Sequence, residues 1–162
     1  MTKLKKAGIA LAAVLIIIQF IRPKKNSGTA EGTNDIAHTV AVSPEIHNIL
    51  SKACNDCHSN HTEYPWYYNI QPVAWWLANH VDEGKHHLNF SEFNSYKTKR
   101  KLKKLKEIKE EIEDGEMPMD SYLWIHGNAK LSDTEKTALY KWVEESLVIV
   151  ADTLNDGVNA KR

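Results

Sequence analysis

Apolar residues recur at helical spacing in several separate stretches of the chain, and no stretch alternates apolar and polar residues over a useful length. In an α-helix, positions three and four residues apart share a face, so this pattern predicts amphipathic helices that bury one side. The predicted helices cover residues 44–53, 72–84 and 96–114, and a last helix starts at residue 132. The sequence contains no internal repeat, and the pattern as a whole predicts an all-α fold.

Residues that favour helix ends support these boundaries. Ser43 and Pro44 supply a capping hydroxyl followed by proline at the first helical position. Ser132 and Glu135 have the spacing of a capping box. Gly115 is expected to end the third helix, and Gly84 is expected to lie at or near the end of the second. The faces predicted to be buried carry Ile46, Ile49, Leu50 and Ala53; Val73, Trp76, Leu77 and His80; Leu102, Leu105, Ile108 and Ile112; and Ala138, Leu139, Trp142, Val143 and Leu147.

The N-terminus is typical of a targeting segment. Lys3, Lys5 and Lys6 precede an apolar run over residues 7–21. A signal peptide has an apolar region of about 7–15 residues, and a transmembrane helix needs about 20. The segment Arg22-Pro23-Lys24-Lys25 follows the run in place of a small-residue cleavage site, which favours an uncleaved signal anchor over a cleaved peptide. We therefore expect a single transmembrane helix in the cytoplasmic membrane and a domain that faces the periplasm.

The composition along the chain divides it into four parts. Residues 1–21 form the anchor, and the polar residues 22–42 are predicted to be a flexible linker. The domain is expected to cover residues 43–151, and residues 152–162 form a polar C-terminal tail.

Charge excludes one class of partner. The chain has 21 Lys and Arg residues against 21 Asp and Glu residues, so it lacks the excess positive charge of a nucleic-acid-binding protein. A lysine-rich run over residues 97–106 is followed at once by acidic residues, and no aromatic residues are interleaved for base stacking. We expect a solvated helix face and no nucleic-acid partner, with docking to an acidic redox protein as the alternative.

Residues 54–58, Cys-Asn-Asp-Cys-His, carry the most chemical information. The spacing C-x-x-C-H is the attachment pattern of c-type haem. Cys54 and Cys57 can each form a thioether with one haem vinyl group, and the imidazole of His58 can reach the iron as the proximal ligand. These are the 2 cysteines of the chain. The motif predicts one covalently attached haem c, and it agrees with export because bacteria attach this haem outside the cytoplasm.

Three chemistries compete with haem attachment at this motif. A zinc site could include His61, but zinc-finger histidines lie about a dozen residues beyond the cysteines, and here they are too near. A thioredoxin-like redox pair needs a βαβ context that the pattern lacks. A chance pair of cysteines in an exported, disulfide-bonded protein remains as the third alternative.

A six-coordinate haem iron needs a second ligand, and Met117 is the first candidate. Its loop precedes the final helix, Pro118 would stiffen it, and a thioether ligand favours Fe(II). The alternatives are Met119 and His80, which lies on an apolar helix face where it could also bind a propionate. Ordinary core packing would equally explain a methionine or a buried histidine. The aromatic residues proposed to line the haem pocket are Trp66, Trp75, Trp76 and Trp124, and His61, His86, His87 and His126 are expected to be surface or supporting groups.

Several stretches carry a family resemblance. These are residues 54–60, 64–67, 72–77, 80–84, 87–90, 115–118 and 126–132. In this order they resemble the small bacterial haem-binding domain family related to cytochromes c, over residues 43–150. The resemblance implies a cytochrome c-like helical domain around one haem, with attachment at Cys54, Cys57 and His58. It also implies that Met117 and Pro118 correspond to the distal-methionine loop of class I cytochromes c.

Together the motif, the targeting segment and the resemblance predict a membrane-tethered monohaem cytochrome. It would carry single electrons in the periplasm and would not be an enzyme. Its expected partners are the membrane, redox proteins and the machinery that matures c-type cytochromes. The alternatives are a haem-based sensor or binding module with a displaceable distal ligand, and a peroxidase-like enzyme with His80 as its general base.

Overall fold

The computed structural model describes residues 2–159, with side chains placed through residue 153, and its regular structure is helical. The α-helices are α1 (Lys3–Ile18), α2 (Pro44–Ala53), α3 (Asn55–His58), α4 (Val73–His87), α5 (Thr98–Glu113), α6 (Asp120–Leu123) and α7 (Asp133–Asn159). Short 3-10 helices cover Ile36–His38, Trp66–Asn69, Phe90–Ser95 and Gly127–Ala129. The described residues form no strand, and one isolated bridge joins Ser27 to His61. The predicted all-α fold is confirmed.

Three of the predicted helix ends have the expected geometry. The Ser43 hydroxyl accepts a hydrogen bond from the Ile46 amide at 3.3 Å at the start of α2. The Ser132 amide donates to the Glu135 carboxylate at 2.9 Å, and the Glu135 amide donates back to the Ser132 hydroxyl at 3.3 Å. Gly115 follows α5 with a φ of 78°, a left-handed conformation that glycine adopts at little cost. These caps satisfy backbone groups that a helix end leaves without partners.

The core lies between α5 and α7, and α2 also packs against α7. The buried apolar residues include Leu105, Ile108 and Ile112 of α5, Leu139, Trp142, Val143 and Val150 of α7, and Ile46, Ile49 and Leu50 of α2. The Trp142 indole also donates a hydrogen bond to the Ala41 carbonyl at 2.9 Å. The stripe predicted on α5 is therefore buried by tertiary packing, which holds a helix whose charges oppose its dipole.

Part of the segment predicted as a flexible linker is instead packed on the domain. Ile36 and Val40 are each 3% exposed and belong to the core. The Asp35 carboxylate caps the short helix between them, accepting a hydrogen bond from the Ala37 amide at 2.8 Å. The physical reason is that two apolar residues within a polar stretch gain free energy by leaving water, even though the surrounding composition favours a linker.

The two ends of the chain differ from the sequence-based boundaries. A transmembrane anchor is predicted over residues 1–21, where the structure has α1, a helix of 16 residues. Within residues 2–159, none of the helices combines the length and the apolar character needed to cross a membrane. The predicted polar tail over residues 152–162 begins inside α7, and its last residues, 160–162, lie outside the described part of the chain.

Candidate functional site

The cysteine motif forms a single helical turn at the end of α2. Cys54 closes α2, because its amide donates to the Leu50 carbonyl at 2.9 Å, and α3 starts at the next residue. The amides of Cys57 and His58 both donate to the Cys54 carbonyl, at 3.2 and 3.0 Å. This turn brings both cysteines and the histidine into one compact unit. Both cysteines are free thiols.

Burial keeps the two thiols protonated. It raises the pKa of Cys54 to about 12, and the neighbouring Cys57 adds to the rise. Burial also raises the pKa of Cys57 to about 11, with a further contribution from the Asp56 carboxylate. Both groups are therefore neutral near pH 7, which suits a partly buried position against apolar surface.

The imidazole of His58 is held by backbone carbonyl groups of the chain around the end of α4. Its Nδ1 lies 3.0 Å from the Gly84 carbonyl oxygen and 3.0 Å from the Leu88 carbonyl oxygen. A carbonyl oxygen only accepts, so Nδ1 must carry the hydrogen, and Nε2 is left with its lone pair. Burial lowers the pKa of His58 and keeps the ring neutral. Hydrogen bonding of one ring nitrogen to a backbone carbonyl is the usual way in which proteins orient a metal-binding histidine.

Gly84 allows α4 to approach the motif closely. A Cβ atom at this position would lie 2.6 Å from the Cys57 carbonyl oxygen, which is closer than real Cβ atoms come. The sequence pattern predicts that α4 ends at or near this glycine, whereas the helix continues to His87. The glycine therefore serves the contact between α4 and the motif, and this close approach places the Gly84 carbonyl within reach of His58.

Asp56 connects the motif to α6 and to the loop that follows α3. Its carboxylate accepts hydrogen bonds from the Tyr122 hydroxyl at 2.7 Å and from the Glu63 amide at 3.0 Å. Its backbone carbonyl accepts one from the Thr62 hydroxyl at 2.6 Å. Burial raises the pKa of Tyr122, and the hydrogen bond to Asp56 raises it further, so the phenol stays a donor. No spacing or motif in the sequence indicates this cluster.

A mostly apolar cavity opens beside the motif. Its empty volume is about 690 Å³, including the part open to solvent. The lining residues are Asp56, Cys57, Thr62, Glu63, Tyr64, Pro65, Tyr67, Val73, Trp76, Leu77, His80, Val81, Met119, Ser121, Tyr122, Ile125 and His126. The cavity therefore joins one face of the motif to α4, to α6 and to the loop that contains Tyr64.

The cavity brings together some of the predicted site residues. Cys57, Trp76, His80 and Met119 line it. Met117 is partly buried in the loop between α5 and α6, where its amide donates to the Glu111 carbonyl at 3.1 Å, and it is not among the lining residues.

Three of the four predicted pocket tryptophans lie outside the cavity lining. Trp66 is 76% exposed and Trp124 is 81% exposed. The Trp75 indole donates to the Ile21 carbonyl at 3.0 Å. The structure therefore assigns only Trp76, of these four residues, to the wall of the cavity.

Two histidines in the cavity have one ring nitrogen engaged by their own helix turn. His80 Nδ1 lies 2.9 Å from the Trp76 carbonyl, and the two rings are 4.3 Å apart. His126 Nδ1 lies 3.2 Å from the Tyr122 carbonyl, and its ring stacks on the Tyr122 ring at 4.1 Å. Each histidine thus keeps Nε2 for another partner. His126 is expected from the sequence to be a surface or supporting group, and its place in the cavity depends on a turn that the sequence pattern does not predict.

The zinc alternative gains no support from the geometry. Across the described part of the chain, no group of three or more His, Cys, Asp or Glu side chains is placed to hold a metal ion. His61, the residue that would have completed such a site, is exposed and pairs with Ser27 in the isolated bridge.

Comparison with known proteins decides the family. The model of the haem-binding domain family matches residues 13–145, which is most of the chain. This chain belongs to the haem-binding domain family. No curated protein and no solved structure matches it.

The residues at the motif fit the cofactor of a haem-binding domain. The donor set consists of two free thiols on one helical turn and a neutral imidazole whose Nε2 is free. The adjacent cavity is lined by Cys57, while Cys54 and His58 are not among its lining residues. Its mostly apolar wall would suit a large flat aromatic group. The same wall contains a thioether and two further imidazoles, at Met119, His80 and His126. These side chains are of the types that ligate haem iron.

Proposed function

We propose that this haem-binding domain is a c-type cytochrome that carries single electrons. The observation that carries the proposal is the state of His58, whose Nδ1 is held by two carbonyl groups 3.0 Å away while Nε2 makes no hydrogen bond, on the same helical turn as two free thiols. A thiol pair alone would suit several chemistries, but a neighbouring imidazole fixed in this tautomer suits an iron ligand. Cys54 and Cys57 would hold the vinyl side chains as thioethers, and His58 would bind the iron.

The haem supplies an iron that alternates between Fe(II) and Fe(III), and the protein residues control its surroundings. Gly84 and Leu88 orient His58 through their carbonyl groups. Asp56 and Tyr122 connect the motif to α6 across the cavity. Trp76, Leu77 and Ile125 give the cavity an apolar wall, which excludes water and influences the reduction potential.

The test of covalent attachment is a haem stain on a denaturing gel after expression with the c-type maturation machinery. The wild-type protein should retain stain at its own mass, and the Cys54→Ala/Cys57→Ala variant should retain none. The His61→Ala variant is the matched control, since a haem site does not use this residue whereas a zinc site would. Stoichiometric zinc and no haem in the purified wild-type protein would contradict the proposal.

The second iron ligand is proposed to come from the short segment that contains both methionines, 117–119. Met117 has the family resemblance in its favour, and Met119 has its position in the cavity lining. Met117→Ala should lower the reduction potential and produce a high-spin ferric spectrum if Met117 is the ligand, while Met119→Ala should leave the spectrum unchanged. The reverse result would assign Met119, and the same change in His80→Ala alone would move the ligand to α4.

We also propose that α1 directs export and holds the protein at the cytoplasmic membrane. None of the residues of α1 is buried, and the helix carries exposed apolar residues such as Ile9, Ile16 and Ile17. Cell fractionation should recover the haem-stained protein with membranes, and mass spectrometry should recover the peptide that contains residues 7–21. A soluble periplasmic protein without that peptide would show that the segment is a cleaved signal peptide.

A second candidate function follows from the cavity itself. A cavity beside the motif, lined by His80 and His126, would suit a haem module that binds a small ligand. Carbon monoxide should then bind rapidly to the reduced protein and displace the weaker axial ligand. A spectrum unchanged by carbon monoxide would favour the electron carrier. Rapid turnover of hydrogen peroxide that is lost in His80→Ala would instead favour a peroxidase-like enzyme.

A further inference from the structure

The N-terminal segment is joined to the domain by a cluster of hydrogen bonds around Gln71. The Gln71 amide donates to the Gln19 side-chain oxygen at 2.9 Å, and the Gln19 amide group donates back to the Gln71 carbonyl at 3.3 Å. The Gln71 side chain donates to the Ile21 carbonyl at 2.8 Å, as does the Trp75 indole at 3.0 Å. Gln71 is 4% exposed, so these partners come from the N-terminal segment at a site that water hardly reaches.

These bonds make the N-terminal segment a part of the folded domain. Loss of residues up to Ile21 would leave the buried Gln71 side chain without the carbonyl to which it donates, and a buried polar group without a partner is costly. Arg22 adds a further contact, because its guanidinium donates to the Asn69 side-chain oxygen at 3.2 Å. The direction in which α1 leaves the domain is therefore fixed by paired polar groups.

Large apolar side chains surround this junction and face outward. They are Phe20 at 83% exposure, Trp66 at 76%, Ile70 at 43% and Trp75 at 37%, and together they form what we call the collar. Helix α1, which precedes Phe20, also carries exposed apolar side chains, and its Ile16 and Ile17 are more than half exposed. Several large apolar side chains exposed on segments that meet at one junction are typical of an interaction site.

The segments that carry the collar have charges of one sign. The carboxylate of Asp82 in α4 lines a cavity with Lys24, Lys25 and Lys85, so positive charges outnumber it there. Arg22, Lys24 and Lys25 follow α1, and residues 19–28 contain no acidic residue. Residues 64–77, which carry the rest of the collar, have no charged side chain at all. Tryptophan and basic residues at the end of an apolar helix are the pair that proteins place at the level of lipid headgroups. This combination matches an anionic lipid surface better than it matches a second protein core.

We propose that the collar docks onto the surface of an anionic membrane and fixes the orientation of the domain there. The inference rests on the membrane tether proposed above and adds a second contact to it. The collar and the cavity share the first turns of α4, since Trp75 belongs to the collar while Val73 and Trp76 line the cavity. Docking would therefore bring the proposed haem site close to the bilayer, where it would face membrane-bound redox partners.

The experiment is hydroxyl-radical footprinting of the full-length haem-loaded protein in nanodiscs that contain phosphatidylglycerol, with one protein copy per disc. Trp66 and Trp124 are internal controls for each other, because they are 76% and 81% exposed in the protein alone. Docking predicts that Trp66 is oxidised several-fold more slowly than Trp124. Equal rates in discs that contain the protein would overturn the docking proposal while leaving the tether intact. Failure of the protein to enter discs would overturn both.

Charge variants separate lipid recognition from other causes of protection. Arg22→Gln/Lys24→Gln/Lys25→Gln should raise the oxidation rate of Trp66 towards that of Trp124, and zwitterionic discs should have the same effect. The matched control, Lys97→Gln/Lys99→Gln/Lys106→Gln, removes three exposed lysines at and within α5 and should leave Trp66 protected. Protection that arises only in discs with two copies would assign the collar to a second copy of the chain and overturn the proposal. The haem stain is expected to be positive in all these variants.

Discussion

The two halves of the domain are stabilised in different ways. The helix-pair region, formed by α5 and α7, is closely packed, and Leu105, Leu139 and Val143 are 0% exposed. The site region, formed by α3, α4 and α6, is held by polar contacts such as that of Tyr122 with Asp56, and it contains an open cavity. The same all-α fold thus combines a closely packed core with a neighbouring site that contains an open cavity.

This difference indicates how the cofactor contributes to stability. A group that binds only the folded state stabilises it, and it does so most strongly where its own contacts replace missing packing. The helix-pair region needs no such contribution, because its apolar residues already bury one another. We therefore expect changes in the helix-pair region to alter stability alone, and changes in the site region to alter both stability and haem properties.

The largest change in stability is expected for Leu139→Ala, and Leu77→Ala is its matched comparison in the cavity wall. Leu139→Ala removes a fully buried side chain in α7 and should cost about 2–5 kcal/mol of unfolding free energy, without changing the absorption spectrum of the folded protein. Leu77→Ala removes a half-buried side chain that lines the cavity, where space is already present, and should cost much less. Denaturant unfolding of both variants measures the difference. Equal costs would show that the cavity wall is packed as tightly as the core.

The next effect concerns the close approach of α4 to the motif. Gly84→Ala introduces a Cβ atom 2.6 Å from the Cys57 carbonyl oxygen, so α4 must move away at a cost of about 1–3 kcal/mol. The movement should also weaken the hold on His58 and shift the ferric absorption spectrum. Gly127→Ala is the control, since no atom lies within 4 Å of its Cβ position. If Gly84→Ala changed neither stability nor spectrum, the contact would not orient the histidine.

A smaller effect is expected at the contact between the motif and α6. Tyr122→Phe removes the 2.7 Å hydrogen bond to the Asp56 carboxylate and should cost about 1.5 kcal/mol. Because Tyr122 also lines the cavity, the variant should change the reduction potential as well. Tyr140→Phe removes a hydroxyl from the helix-pair region and should leave the potential unchanged. A shift of similar size in both variants would mean that the potential does not report on the site region.

Local sequence signals are sufficient to predict most of the helices and the cysteine motif. The features that the sequence does not predict depend on contacts between residues far apart in the chain. The caps at Ser43 and Ser132 act within three residues of themselves, so the sequence pattern is sufficient to predict them. The bond between Tyr122 and Asp56 joins residues 66 positions apart, and no spacing rule predicts it. Ile36 and Val40 lie among polar neighbours in the sequence, so local composition does not predict their burial. They join the core because the short helix Ile36–His38 packs against the distant segment Phe90–Ser95.

The smallest effect should come from the ion pair that links the helix-pair region to α2. Glu135 of α7 pairs with Lys52 of α2, the helix that leads into the motif. The hydrogen bond from Lys52, together with bonds from Ser132, lowers the pKa of the Glu135 carboxyl from 4.5 to about 2. A lowered pKa means that the pair contributes its stability above pH 4.5 and loses it as the pH falls through 2.

Glu135→Gln should therefore flatten the pH dependence of the unfolding free energy between these two pH values. Lys52→Gln should raise the pKa of Glu135, so the loss of stability should begin and end over a narrower pH range. The ferric spectrum should stay unchanged in both variants, because neither Lys52 nor Glu135 lines the cavity. Their side chains are 28% and 27% exposed, so the pair itself should contribute little stability. A spectral change with either variant would show that the helix-pair region and the haem site are coupled through α2.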